Sequence, residues 1–141
     1  MATTTQSEML QYALDQAKFQ VGKVFEGVSD TGWTTKSCDV AMSPAATAEH
    51  LCEVYTAFKT MAAGGDHEWG NYSSGLTERT AVLDLMNKLR EEAVAIALSS
   101  DEYWKAAFEY IILHDTYHVG QMALNRMTAD PSWDPYSIYG H

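Results

Sequence analysis

Four stretches of this chain carry apolar residues at the three-and-four spacing that lines one face of a helix, and such a face must be buried against other elements. The first runs from about Gln6 to Val28, with Leu10, Leu14, Ala17, Val21, Val24, Phe25 and Val28 on its stripe. Thr5 and Glu8 stand at its start with the spacing of a capping box. The second begins at Ser43-Pro44, a capping residue followed by one whose fixed φ suits the first helical position, and stops at Gly64-Gly65. Its stripe reads Ala46, His50, Val54, Ala57 and Met61. The third starts near Thr77 and turns Val82, Leu85, Met86, Leu89, Ala93, Ile96 and Ala97 inward. Glu78, Arg79, Asp84, Lys88, Arg90, Glu91 and Glu92 are left as its solvated face. The fourth opens with a second capping box at Ser99-Ser100-Asp101-Glu102 and continues to about Thr128, until Pro131 and Pro135 end it. The pattern predicts an all-α fold, and 141 residues make one domain, 1–141, long enough to bury a core.

Between the helices, the loop 29–42 holds Trp33, expected to pack over the core, and the connector 66–75 holds His67 between two acids, expected to be a solvated loop residue. The tail Trp133-Asp134-Pro135-Tyr136-Ser137-Ile138-Tyr139-Gly140-His141 is too aromatic for a free end and is expected to fold back on the helices or onto a partner. Gly120 interrupts the fourth helix at a cost of about 1 kcal/mol relative to Ala, so either a neighbouring helix approaches there or the space beside His118 is needed.

His114 and His118 lie four residues apart in that helix. Imidazoles so spaced share one face and converge on a single metal ion. The spacing alone is a weak motif. A third imidazole, His50 on the second helix, strengthens it. Taken singly His50 reads as a hydrogen-bonded core residue, but three inward imidazoles each need polar partners, and one shared cation satisfies them together. Three neutral imidazoles with an open position suit Zn²⁺, Ni²⁺ or Fe²⁺ and lower the pKa of a bound water toward ~7. Gln121 falls on the metal side, placed to orient a ligand or the bound water. Tyr110 reads equally as a helper of that kind or as a core residue. Asp115 is read to the side, as a supporting partner or facing solvent. Cys38 in its loop and Cys52 on the second helix are not placed as ligands, and no general base is evident.

Nine Lys and Arg against nineteen Asp and Glu give a net charge of −10, which repels phosphate backbones and anionic membrane surfaces. Neither nucleic acid nor a membrane is expected as a partner. The first residues show no basic and apolar leader pattern, so the expectation is a cytoplasmic protein. The chain has no Gly-x-Ser-x-Gly elbow, phosphate-cradling glycine loop, Cys-x-x-Cys or Glu-x-x-His pair, which leaves a mononuclear three-histidine site as the candidate chemistry.

The order of a histidine at His50-Leu51 on the second helix, followed by Leu113-His114-Asp115-Thr116-Tyr117-His118-Val119-Gly120-Gln121 on the fourth, resembles the DinB-like (YfiT-like) metal-dependent enzymes across essentially the whole chain. The Trp133-Asp134-Pro135-Tyr136 run is similar to that of some members. The resemblance implies a four-helix bundle, up-up-down-down or related, often a homodimer, with nickel or zinc held at His50, His114 and His118. It also implies transferase or isomerase chemistry with a low-molecular-weight thiol as cofactor, and a place in the stress response. The reading is a hydrolase or thiol S-transferase acting on a small-molecule substrate, with Gln121 assisting. Its rival is a non-catalytic metal-binding stress-response protein whose ion ties the second and fourth helices together.

Overall fold

The computed structural model describes residues 3–140; Met1 and Ala2 of the leader reading and His141 of the tail reading lie outside the described residues. Helix α1 spans Gln6–Phe25, a short α2 Asp30–Trp33, α3 Pro44–Ala62 and α4 Arg79–Ser99. A last rod begins as a 3-10 turn, Asp101–Tyr103, continues as α5, Trp104–Ala107, passes through a π-helical turn, Phe108–Ile112, and ends as α6, Leu113–Ala129. A 3-10 turn at Pro135–Tyr139 follows, and there is no strand among the described residues.

The helix starts obey the expected capping chemistry, with one exception. Thr5 and Glu8 satisfy each other's backbone N–H groups in a capping box, and Ser43 accepts from the Ala46 N–H ahead of Pro44. The expected box at Ser99 and Glu102 does not form. Ser99 still belongs to α4 and donates to the Ile96 carbonyl, so Ser100 caps the next segment instead.

The contacts at the helix ends set the directions. The start of α1, at Gln6 and Leu10, lines a crevice with Ala97, Leu98 and Trp104, whereas the Val24 carbonyl near its end accepts from Arg126. Helix α1 therefore runs parallel to the last rod. Arg79 at the start of α4 donates to the Val28 carbonyl, and Phe58 near the end of α3 packs on Tyr103. Thus α3 and α4 both run against that direction, an up-down-down-up order. Round the bundle α1 lies beside α6, α6 beside α3, and α3 beside α4.

Parallel neighbours need a return connection about as long as the helix, roughly 28 Å for the 19 residues of α3. The connector 63–78 supplies it. It runs back along the outside of α3, where Glu53 accepts from the Gly70 N–H and Glu49 accepts from the backbone and hydroxyl of Ser74. This third covering explains why α3 is buried so widely. Thr47, Ala48, Leu51, Cys52, Val54, Tyr55, Ala57 and Phe58 are all shielded, while Ala46, placed on the inward stripe by the spacing, is exposed.

At the centre of the bundle the structure corrects the sequence reading. Arg90, assigned to a solvated face, is 4% exposed, and Asp115, read as lying to the side, is 0% exposed. The guanidinium reaches Asp115 Oδ2 through Nε at 3.0 Å and Nη2 at 2.9 Å, and donates to the Leu14 carbonyl at 2.8 Å. The Tyr55 hydroxyl donates to the other carboxylate oxygen. One polar cluster thereby ties α1, α3, α4 and α6. Positions 82, 86, 90, 93 and 97 share a single stripe of α4, and Arg90 occupies its middle. Burial pushes the Asp115 carboxyl above its ordinary value and the guanidinium opposes it, while Tyr55 is driven well above the usual phenol range, by burial first and then by the Asp115 charge.

The flanking segments close the ends. Trp33 is buried against Phe25, as expected, with Ser29 capping α2. The tail folds back so that its 3-10 turn lies on α1 and Trp133 stacks under the Arg126 guanidinium at 5.0 Å.

Candidate metal centre

His50 of α3 faces His114 and His118 of α6, with ring centroids 5.9 and 4.9 Å away. The two α6 rings stack at 6.0 Å, and one ligand nitrogen from each of the three lies within 4.8 Å of the others. Around a tetrahedral ion with bonds of ~2.1 Å, nitrogens sit ~3.4 Å apart. The rings with room to draw together toward that spacing are the two half-buried ones, His50 and His114. The residues thus fit a divalent ion. They meet at the rim, since only His118 is buried, and not in the interior as the stripe had suggested.

What each imidazole presents follows from its other nitrogen. In the π turn the Leu113 N–H bonds to the Phe108 carbonyl, so the Glu109 carbonyl, its partner in a regular α-helix, is released. His114 Nδ1 takes that carbonyl at 3.1 Å. His118 Nδ1 bonds to Gln121 Oε1 at 2.8 Å, and the Gln121 amide nitrogen is in turn engaged with the Tyr117 hydroxyl at 3.2 Å. A carbonyl oxygen only accepts, so both histidines carry their proton on Nδ1 and leave the Nε2 lone pair free for a metal. Gln121 thus contacts a candidate ligand directly.

His50 Nδ1 points toward Glu53 Oε2 at 3.8 Å, outside hydrogen-bond reach. Glu53 is buried, and its Oε1 accepts from His67 Nε2 and the Gly70 N–H, each at 2.9 Å. Its burial acts to raise the carboxyl, but the bonds from His67 and Gly70 and the nearby His50 outweigh this and hold it below the ordinary range. The His67 ring is therefore paired with a carboxylate and packed edge-on to Trp69 at 4.8 Å, in contrast to the free loop residue expected. Trp69 stacks at 6.4 Å on Tyr110, which also meets Phe58 and belongs to the core edge.

Burial depresses His50, with His114 adding to the effect and Glu53 opposing it, and brings His118 down to about 4, through burial first and then the neighbouring His50. Neutral imidazoles are the form that ligates. Cys38 is exposed in its loop, and Cys52 is buried with its thiol raised to about 12 by burial, so neither joins the cluster. A hollow of about 240 Å³ opens beside His114, lined by Glu109, Leu113 and Tyr117; a larger one, about 550 Å³, lies away on α1 beside Lys18 and Phe19. Gly120 faces open space with nothing within 4 Å of an added Cβ, so no helix approaches it. Glu53 and the π turn escaped the sequence reading. Glu53 stands three residues after His50, a spacing that could have exposed it, whereas Phe108–Ile112 contains neither Gly nor Pro to signal a turn.

No helix of the described residues is long and apolar enough to cross a membrane. No family model matches the chain, and neither a curated protein nor a solved structure matches it.

Proposed function

We propose that this protein is a metal-dependent enzyme of the DinB-like kind, with a divalent ion, nickel or zinc, held by His50, His114 and His118. The observation that carries the reading is the setting of the Nδ1 atoms. His114 and His118 are tied through Nδ1 to Glu109 and Gln121, which leaves Nε2 as the nitrogen each has to offer an ion shared with His50 of the neighbouring helix. An ion held there supplies Lewis acidity to a water or a low-molecular-weight thiol, the chemistry of a hydrolase or a thiol S-transferase. Gln121 positions His118, and the half-exposed His50 and His114 leave one side open to a small-molecule substrate. That opening favours catalysis over an ion that only ties α3 to α6.

The solvent face of α6 points to the character of whatever docks beside the site. Its two charged residues, Asp115 and Arg126, are both buried, so Leu113, Tyr117, Leu124 and Met127 make an exposed apolar stripe without exposed charge on a chain of net −10. A homodimer forming through this face avoids the repulsion that acid-rich faces would meet. In the tail Trp133 is already engaged with Arg126, which leaves the exposed rings of Tyr136 and Tyr139 to join the contact.

Elemental analysis of the purified chain is expected to show about one transition metal per chain, and alanine at any one of the three histidines to abolish stoichiometric binding. Full occupancy in the triple variant refutes the site. Thiol-dependent turnover of electrophilic acceptors that stops with a chelator supports the enzyme; a metal-loaded chain inert in that screen supports the stress-response rival. Light scattering at tens of micromolar is expected to give twice the chain mass of 15.7 kDa, and a mass of one chain overturns the dimer.

A further inference from the structure

We propose that Glu53 is a positioning residue coupling the ligand His50 to the connector at 67–70, so that an ion at the three histidines and the docked connector stabilise each other. The inference rests on the metal site proposed above. One carboxylate faces two ways: Oε1 holds His67 Nε2 and the Gly70 N–H at 2.9 Å each, and Oε2 faces His50 Nδ1 at 3.8 Å. His50 is the ligand whose outer nitrogen has no hydrogen-bonded partner at this distance, whereas His114 and His118 have theirs.

With an ion on Nε2, the His50 ring would lose electron density and its Nδ1–H would become a stronger donor. Glu53 Oε2, 3.8 Å from that nitrogen, is the carboxylate oxygen placed to accept from it, and the His50 ring is only half-buried. The resulting carboxylate–histidine–metal arrangement fixes ring orientation and raises ligand basicity. Because the other oxygen of that carboxylate anchors the connector, the gain is shared. Any coupling of this kind is reciprocal: what tightens the ion steadies the connector, and what loosens the connector weakens the ion. Trp69, between the His67 and Tyr110 rings, carries the connector against the π turn that orients His114, giving a second path to the same site.

Glu49 makes the control. It clamps the same connector at Ser74 but forms no hydrogen bond or ion pair with His50, whose carboxylate neighbour is Glu53. If Glu53 only fastens the connector, Glu49→Gln and Glu53→Gln should affect metal binding alike. Zinc affinity by chelator competition, the visible spectrum of the cobalt-substituted chain, and hydrogen exchange of the connector with and without zinc test the proposal. Glu53→Gln is expected to weaken zinc by about 10–100-fold and to shift the cobalt bands, with Glu49→Gln within about twofold of wild type. In the wild-type chain zinc is expected to slow exchange at 67–70, a measurement that needs no variant to fold. Unchanged connector exchange on adding zinc, or equal zinc affinity in Glu53→Gln and wild type, overturns this inference alone. A wild-type chain that binds no zinc overturns the metal site and this inference with it.

Discussion

Replacing Arg90 with Leu tests whether the polar cluster at the bundle centre holds the fold together. The substitution removes both guanidinium contacts to Asp115 Oδ2 and the bond to the Leu14 carbonyl, and leaves a carboxylate that is 0% exposed with Tyr55 as its remaining partner. Breaking a buried pair in this way costs about 3–5 kcal/mol, because the surviving charge has neither water nor a counter-ion. That is a large part of the roughly 5–15 kcal/mol that stabilises a domain. Unfolding entropy of about 2.1 cal/mol/K per residue amounts to ~0.3 kcal/mol/K over 141 residues, so the melting temperature should fall by about 10–17 °C. Asp115→Asn strands the guanidinium and should also cost several kcal/mol. The double variant removes both charges and should be less damaging than the sum of the two by about 2–3 kcal/mol. Denaturant unfolding of the four proteins followed by circular dichroism reads the cycle. A loss below about 1 kcal/mol in Arg90→Leu, or strict additivity in the double variant, would refute the argument that these groups act as one buried unit.

Other predictions concern the candidate metal centre and its helix. Zinc at ~100 times its dissociation constant should add roughly 2.7 kcal/mol, read as a higher melting temperature than in chelator, and identical melts at neutral pH contradict the site. In chelator, His118 is lowered by burial to about 4 against ~6.5 when unfolded, so stability is unaffected above pH 6.5 and lost as pH falls from 6.5 toward 4, by about 3 kcal/mol at most. Unfolding at pH 7 and 4.5 checks this, and His118→Asn should flatten the slope. Gly120→Ala meets nothing within 4 Å and should stabilise the helix by about 0.5–1 kcal/mol; a lower melting temperature would show that the glycine is needed.

The residues that local chemistry governs were legible without coordinates. Thr5 with Glu8, and Ser43 with Pro44, mark helix starts because a cap is satisfied within one turn, and His114 with His118 share a face because helical spacing puts them there. The placing of His50 opposite them could be expected only as one facing among several, and packing selected it. Hydrophobicity misplaced Arg90 and Asp115, since a charge can enter a core when partners from other helices meet it, and those partners lie 25 to 76 residues away in the chain. The same holds for Glu53 and His67, which look solvent-bound until the connector folds along α3. The π turn left no trace in residue type because its cause is positional: one displaced backbone bond releases the Glu109 carbonyl to the His114 ring. Sequence therefore determined the four long helical segments, though not the single turn of α2 in what reads as a loop, and which imidazoles could meet. Tertiary packing decided which charges are buried and that the cluster opens at the rim, because each depends on groups contributed by distant segments, whereas the nitrogen that His114 and His118 present is set within their own rod by Glu109 and Gln121.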